Sequence, residues 1–344
     1  MNAAADADLT AQPQAGRRFA VPPLLLRDLA ALTGQDLAAL KAQTQEDERV
    51  NLGGGRIGLT PACLRRLRPH LGWPAAPAVV AHMNLKGGVG KTTLTVNAAT
   101  RAAQFGYRCC VLDLDPQASS TLALQGDIAD EQAVFVDIWQ SPEQLDTALI
   151  TLDDGLALLP SSLDNSLLDV ALSHPKQQRT AVRQVTTQLA ALGYELVFID
   201  CPPALGAAVI SSFCAASQVV IPVGADAYSL KGMRLTLGEM QAIAEAFNMP
   251  AATARVVFNR FDRRERLHLS ALASLQQMSS ISLLASVLRT SSQYAQALAA
   301  GVSVFADSRQ SVAASDVDAY VRELLQLDSA EGFTAPQDSP GDPS

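Results

Sequence analysis

Apolar positions along the chain fall into two regimes. Between residues 21 and 71 they recur in short helical pieces. Leu26-Arg27-Asp28-Leu29-Ala30-Ala31-Leu32 keeps a three-to-four-residue period, Thr33-Gly34 interrupts it, and Gln35 to Leu40 resumes it. This outline predicts helix, short glycine turn, helix, as in a helix-turn-helix. Asn51 to Thr60 reads as a turn with a short strand pair. Pro61 then opens a further helix in the first turn, where a missing N–H costs little. From Ala78 onward, short apolar runs at 78–82, 109–112, 156–159, 196–199, 218–223 and 254–258 alternate with helical stretches. Continuous apolar strands of this kind belong to a parallel sheet with helices on both faces. The stretch Gly72 to Pro77 separates the regimes as a linker. The expected division is therefore a lead without periodicity over 1–18, a small helix-turn-helix-like helical module over 19–71, an α/β domain over 78–327, and an acidic, proline-rich tail over 328–344.

Composition narrows the class. Charged residues are 17% of the 344 and apolar residues 48%, which excludes a disordered tail protein. No apolar run approaches the roughly 20 residues of a membrane span, and the polar N-terminus predicts no secretory leader. The five cysteines, at 63, 109, 110, 201 and 214, form no CxxC pair, so neither a disulfide framework nor a zinc site is legible and a reducing cytoplasm is expected. The net charge is −8, yet residues 16–75 hold nine Lys/Arg against five Asp/Glu. That asymmetry makes the module a candidate for nucleic-acid contact. A small adaptor or dimerisation arm with solvated arginines fits it as well.

The chemistry concentrates in one segment. The strand at 78–82 runs into His82-Met83-Asn84-Leu85-Lys86-Gly87-Gly88-Val89-Gly90-Lys91-Thr92-Thr93, and an amphipathic helix follows. Glycines let consecutive backbone N–H groups turn inward around phosphate oxygens, and the helix N-terminus adds its positive end. Lys91 is placed to reach the β- and γ-phosphates, and the Thr92 hydroxyl to ligate Mg²⁺. Strand, loop, Lys-Thr pair and helix together predict a nucleotide site.

The loop departs from the ordinary phosphate-binding pattern, with Leu85 where the first glycine stands and Lys86 after it. Lys86 to Thr93, KGGVGKTT, resembles the deviant Walker A motif of the ParA/MinD family of P-loop ATPases. Asp113-Leu114-Asp115-Pro116-Gln117 resembles that family's DxDPQ element. Glu195 to Pro203, an apolar strand ending in Asp200, resembles its Walker B strand and switch. Val287 to Phe305 resembles its late segment, with Leu288 for the usual Pro and Ser292-Gln293-Tyr294 for Ser-Glu-Ala. The resemblance spans about residues 78–325 and implies a P-loop NTPase fold with a mostly parallel sheet flanked by helices.

It also implies roles. ATP with Mg²⁺ would lie against Lys86, Gly87, Gly88, Val89, Gly90, Lys91, Thr92 and Thr93. Lys86 would cross a homodimer interface to the partner's phosphates. Asp115 would orient the attacking water, so that Asp115, Lys86 and Lys91 form the catalytic set. Asp200, Thr92 and Asp113 would serve the metal, and Asn259 would bond adenine. Arg289, Arg260, Arg263 and Lys231 would meet DNA non-specifically. The family's membrane branch uses a basic amphipathic C-terminal helix, so the acidic tail predicts no membrane. The expectation is a cytoplasmic, nucleoid-associated partition ATPase that dimerises on ATP and is stimulated by a ParB-like partner, segregating plasmid or chromosome. A protein cargo with its own adaptor is the variant reading. A repressor that uses residues 19–71 on operator DNA, with ATP as its switch, is another.

Overall fold

The computed structural model describes residues 19–327 apart from 75, 77, 251 and 308–310. The expected lead (1–18) and tail (328–344) lie outside the described residues. The module contains β1 (Leu24–Leu25), α1 (Leu26–Thr33), α2 (Leu37–Ala42), β2 (Arg49–Asn51), β3 (Ile57–Leu59) and α3 (Pro61–Leu67). Gly34 ends α1 with φ 66°, in the left-handed region. Asp36 then caps α2 by accepting from the N–H groups of Ala38 and Ala39. Thr60 caps α3, with Pro61 at the first position. The two helices and glycine turn follow the expected outline. The short strand pair read around Asn51 to Thr60 is present as β2 and β3, and β1 joins it, so that β1, β3 and β2 form an antiparallel sheet in that order. β1 escapes pattern reading because its two residues merge with the apolar start of α1.

After the linker come β4 (Val79–His82), α4 (Lys91–Gln104), β5 (Cys109–Asp113), α5 (Ser119–Leu124), α6 (Phe135–Ile138), α7 (Leu145–Ala148), β6 (Ile150–Asp153), β7 (Leu156–Leu159), α8 (Leu168–Ala171) and α9 (Pro175–Ala191). They are followed by β8 (Leu196–Asp200), α10 (Ala207–Ala215), β9 (Gln218–Val223), α11 (Ala227–Ala246), β10 (Thr253–Phe261), α12 (Arg266–Gln276), β11 (Leu283–Arg289), α13 (Ser292–Ala299) and α14 (Val312–Leu324). Eight strands pair in the order β11-β10-β9-β4-β8-β5-β7-β6, parallel except for β6. The six apolar runs all lie on strands. β6 and β11 were not predicted. Both are edge strands with a mixed exposed and buried pattern, so they lack the continuous apolar signature of their neighbours.

The two sheet faces carry separate cores, and the module belongs to one of them. Leu29, Leu40, Leu59 and Leu64 are fully buried in a cluster shared with Ala99, Ala102 and Ala103 of α4 and with Val317, Tyr320 and Val321 of α14. Each such leucine contributes about 1.5–3 kcal/mol of burial. Polar ties close the seam. Gln104 Nε2 donates to Pro22 O at 2.8 Å, and the Val21 N–H donates to Asp153 Oδ2 at 2.7 Å. Arg65 pairs with Asp154 at 3.1 Å. Arg68 pairs with Glu195 and lies 4.0 Å over the Tyr107 ring. A Cβ on Gly106 would fall 2.4 Å from Arg65 N, so glycine lets the two backbones touch. Other module arginines are held locally: Arg66 by Glu48, Arg49 by Thr44 Oγ1 and Lys41 O, and Arg56 by Leu52 O. Among the described residues, Arg65 and Arg68 thus dock the module, and Arg49, Arg56 and Arg66 brace it.

Candidate nucleotide site

β4, β5 and β8 end side by side at the carboxyl edge of the sheet, where ligands of open α/β folds sit. The phosphate loop leaves β4 there. Gly88 and Gly90 take φ of 73° and 97°, conformations costly for any side chain. Gly90 is required twice over, because an added Cβ would lie 2.3 Å from Asn259 Nδ2. Lys91 heads α4 and is buried. Its Nζ donates to the carbonyls of Asn84 at 3.2 Å and Lys86 at 3.3 Å, inside the loop it would serve. Burial lowers its pKa, opposed by Asp200.

Asp113 and Asp200 face each other in register across β5 and β8, both fully buried. Burial pushes both carboxyls above the ordinary range; the Asp200 charge adds to the rise at Asp113, and the Asp115 charge adds to that at Asp200. Asp200 Oδ2 accepts from Thr92 Oγ1 at 2.7 Å and Ser120 Oγ at 2.8 Å. Its Oδ1 is buried with no partner. An orphaned acceptor beside a threonine hydroxyl at a phosphate loop fits a hydrated divalent cation. Among the described residues there is no group of three or more His, Cys, Asp or Glu that could hold a metal ion.

The structure separates the two aspartates that the sequence placed together. Asp115 lines the cleft and is half-buried. Asp113 lies behind it. Its Oδ2 accepts from Thr121 N and Oγ1, and its Oδ1 from Asp115 N. The expected metal role of Asp113 is therefore not what this geometry offers. Asp113 holds the 115–121 turn in place.

Other expected site residues are placed as follows. Lys86 turns away from its own cleft, and its Nζ reaches Asp226 Oδ1 at 2.6 Å and Ser229 Oγ at 3.0 Å. Asn259 is buried, and its Nδ2 donates to Val89 O at 2.7 Å, which makes it a brace of the loop. Arg289 lies against buried Asp316 of α14, with Nη2 at 2.6 Å from its carboxylate. Lys231 on α11 and Arg263 in the turn after β10 are exposed. Arg260, expected at DNA, is exposed and lines the cleft. Cys201 is buried, and burial pushes its thiol up to about 12.

Sequence reasoning missed Ser120, Asp226, Ser229 and His82. His82 is buried on β4, with Nδ1 at 2.9 Å from Thr95 Oγ1 on α4 and Nε2 at 2.8 Å from the Tyr320 hydroxyl on α14. Burial lowers its pKa to about 3, so the ring is neutral. No motif marks these residues, since they meet only through the fold.

Comparison with known proteins gives a consistent result. Residues 77–251 match the AAA_31 family, described as an AAA domain. The chain is 30% identical to the cell division protein PomZ of Myxococcus xanthus over 259 residues, 72% of this chain and 80% of PomZ. It is 29% identical to the chromosome partitioning protein ParA of Caulobacter vibrioides over 191 residues, 55% of this chain and 72% of that one. Among solved structures, the cobyrinic acid a,c-diamide synthase of Mycobacterium smegmatis, with an ATP analog and magnesium bound, shares the fold. Its TM-score is 0.63 at 24% identity, over 77% of this chain and all of that one. Among the described residues no helix is long and apolar enough to cross a membrane.

Proposed function

We propose that this chain, which belongs to the ParA-type P-loop ATPases, is an ATP-gated partition or positioning protein that binds ATP with Mg²⁺ in the cleft above β4, β5 and β8. Lys91 leaves the Asn84 and Lys86 carbonyls to meet the β- and γ-phosphates. Thr92 and Asp200 hold the hydrated Mg²⁺, which supplies neutralisation of phosphate charge. The paired burial of Asp113 and Asp200 supports this reading, because two facing carboxylates gain from a neighbouring cation. Asp115, at the cleft wall, orients the attacking water. Positioning and charge neutralisation are most of what phosphoryl transfer requires.

Two copies close over two nucleotides, with Lys86 exchanging Asp226 for the partner's phosphates. The closed dimer binds DNA non-specifically through exposed cations, Lys231 and Arg263 among them, and Arg289 meets DNA with its outer face while Asp316 holds it. Such contacts are salt-sensitive and blind to sequence. The protein works in the cytoplasm on nucleoid DNA, and a ParB-like protein or cargo adaptor stimulates hydrolysis and release. Its relatives, a cell division protein and a chromosome partitioning protein, support both DNA and protein cargo.

The observation that carries the proposal is the loop itself, with two left-handed glycines, a buried lysine parked on carbonyls and an orphaned Asp200 oxygen. A titration of the full chain with ATP and Mg²⁺ tests it. Lys91→Ala should weaken ATP binding by about a hundredfold or more. Asp115→Ala should bind ATP normally and accumulate the dimer on DNA. Undiminished ATP affinity in Lys91→Ala would refute the assignment.

A further inference from the structure

At its carboxyl end β10 carries one residue that β11 does not pair. Its register runs Asn259 to Leu288 and then Phe261 to Arg289, which leaves Arg260 without an opposite residue. Arg260 also takes φ of 57°, in the left-handed region that an arginine adopts only under constraint. The constraint is local. The Arg260 N–H donates to Asn259 Oδ1 at 2.8 Å, while Asn259 Nδ2 is fixed on Val89 O of the phosphate loop. A bulge bends its strand and re-aims one side chain, and bulges gather beside active sites. Here the bulged residue lines the nucleotide cleft, whose lining also includes Gly90, Thr93, Leu298 and Ala299.

The guanidinium has no hydrogen-bond or ion-pair partner among the described residues. Of its basic neighbours, Arg264 pairs with Asp262 and Arg289 with Asp316, while Arg263 and Arg266 have no such partner among the described residues either; Arg260 differs from those two in lining the cleft. An arginine meant only for solvent needs no strained backbone. A flat, weakly hydrated cation in a cleft that also holds aliphatic side chains suits the face of an aromatic ring.

We propose that Arg260 stacks on the nucleobase of the bound nucleoside triphosphate, with Leu298 and Ala299 supplying the apolar surface of that end of the cleft. The proposal rests on the nucleotide-site reading above and moves Arg260 from the DNA surface into that site. Stacking is tolerant of base identity, because every base presents a π-face. The Asn259 carboxamide already serves Val89 and Arg260, which favours face contact over edge reading.

Affinities of the full chain for ATP, GTP and inorganic tripolyphosphate, each with Mg²⁺, test this in wild type, Arg260→Ala and Arg260→Gly. Glycine accepts the left-handed backbone, so that variant keeps the bulge without the guanidinium. Both variants should lose about tenfold in affinity for ATP and GTP alike and nothing for tripolyphosphate. Arg260→Lys should recover less than half of the loss, because an ammonium lacks the plane. Equal loss for tripolyphosphate would make Arg260 a phosphate contact and overturn the proposal. Unchanged ATP affinity with weakened DNA binding would return Arg260 to the DNA surface and also overturn it. If wild type itself ignores ATP, the nucleotide-site reading fails first. If wild type binds and the variants match it, this inference alone fails.

Discussion

Asp113 illustrates how one side chain can carry strain for a site it does not enter. Its carboxyl is buried against Asp200, so its pKa is raised in the folded protein. An acid with a raised folded pKa binds protons more tightly when folded, and stability then falls as pH rises from the unfolded pKa through the folded one. The ligand-free protein should therefore lose thermal stability between about pH 5 and about pH 8. Asp113→Asn, which keeps one acceptor for Thr121, should flatten that slope, and melting curves across the range check it. A slope identical to wild type would assign the pH dependence elsewhere. This pair was half legible. The sequence shows two acids at strand ends, but that β5 and β8 are neighbours in register is a property of the fold. Lys91, Thr92 and the loop glycines were fully legible, because phosphate geometry demands those residue types in that order. The bulge at Arg260 was not legible at all, because an unpaired residue at a strand end leaves no mark in hydrophobic periodicity.

At the level of elements, helix α4 joins the two ends of the molecule. It starts in the phosphate loop and ends against the N-terminal module, where Gln104 donates to Pro22 O and Gly106 admits the backbone of α3. Gly106→Ala would combine a φ of 85° with a backbone clash. It should cost about 2–4 kcal/mol, read as a lowered denaturant midpoint. A neutral result would mean that the contact is loose. The central strands were readable because both their faces are buried. β6 and β11 were not, because edge strands mix exposed and buried positions and resemble loops. The arginine-rich α3 was readable as a helix but not in purpose, since the partners of Arg65 and Arg68, namely Asp154 and Glu195, stand far away in sequence.

On the scale of the whole molecule, the module and the ATPase domain share one core. Leu29 and Leu64 of the module lie in the same buried cluster as Val317 and Tyr320 of α14. Deleting residues 1–71 would bare that face, and exposed contiguous apolar surface drives association. The shortened chain should form soluble aggregates or precipitate, measurable by light scattering. A monodisperse, ATP-binding fragment would show that the ATPase domain covers the surface by itself. The sequence drew a linker at 72–77 and so suggested two separable units. Linker composition reports where the chain crosses between them, not whether the two sides pack.

The seam has a practical corollary. Its ties fall at Gly106 and Tyr107, at Asp154 and at Glu195, just ahead of β5, β7 and β8, whereas the phosphate loop, Asp115 and Asp200 sit where strands finish. A tether or fluorophore attached through the N-terminal module would thus hold the molecule by its rear. The nucleotide-bearing rim would stay clear for a second copy, which makes that end the natural handle for watching single molecules capture and release one another.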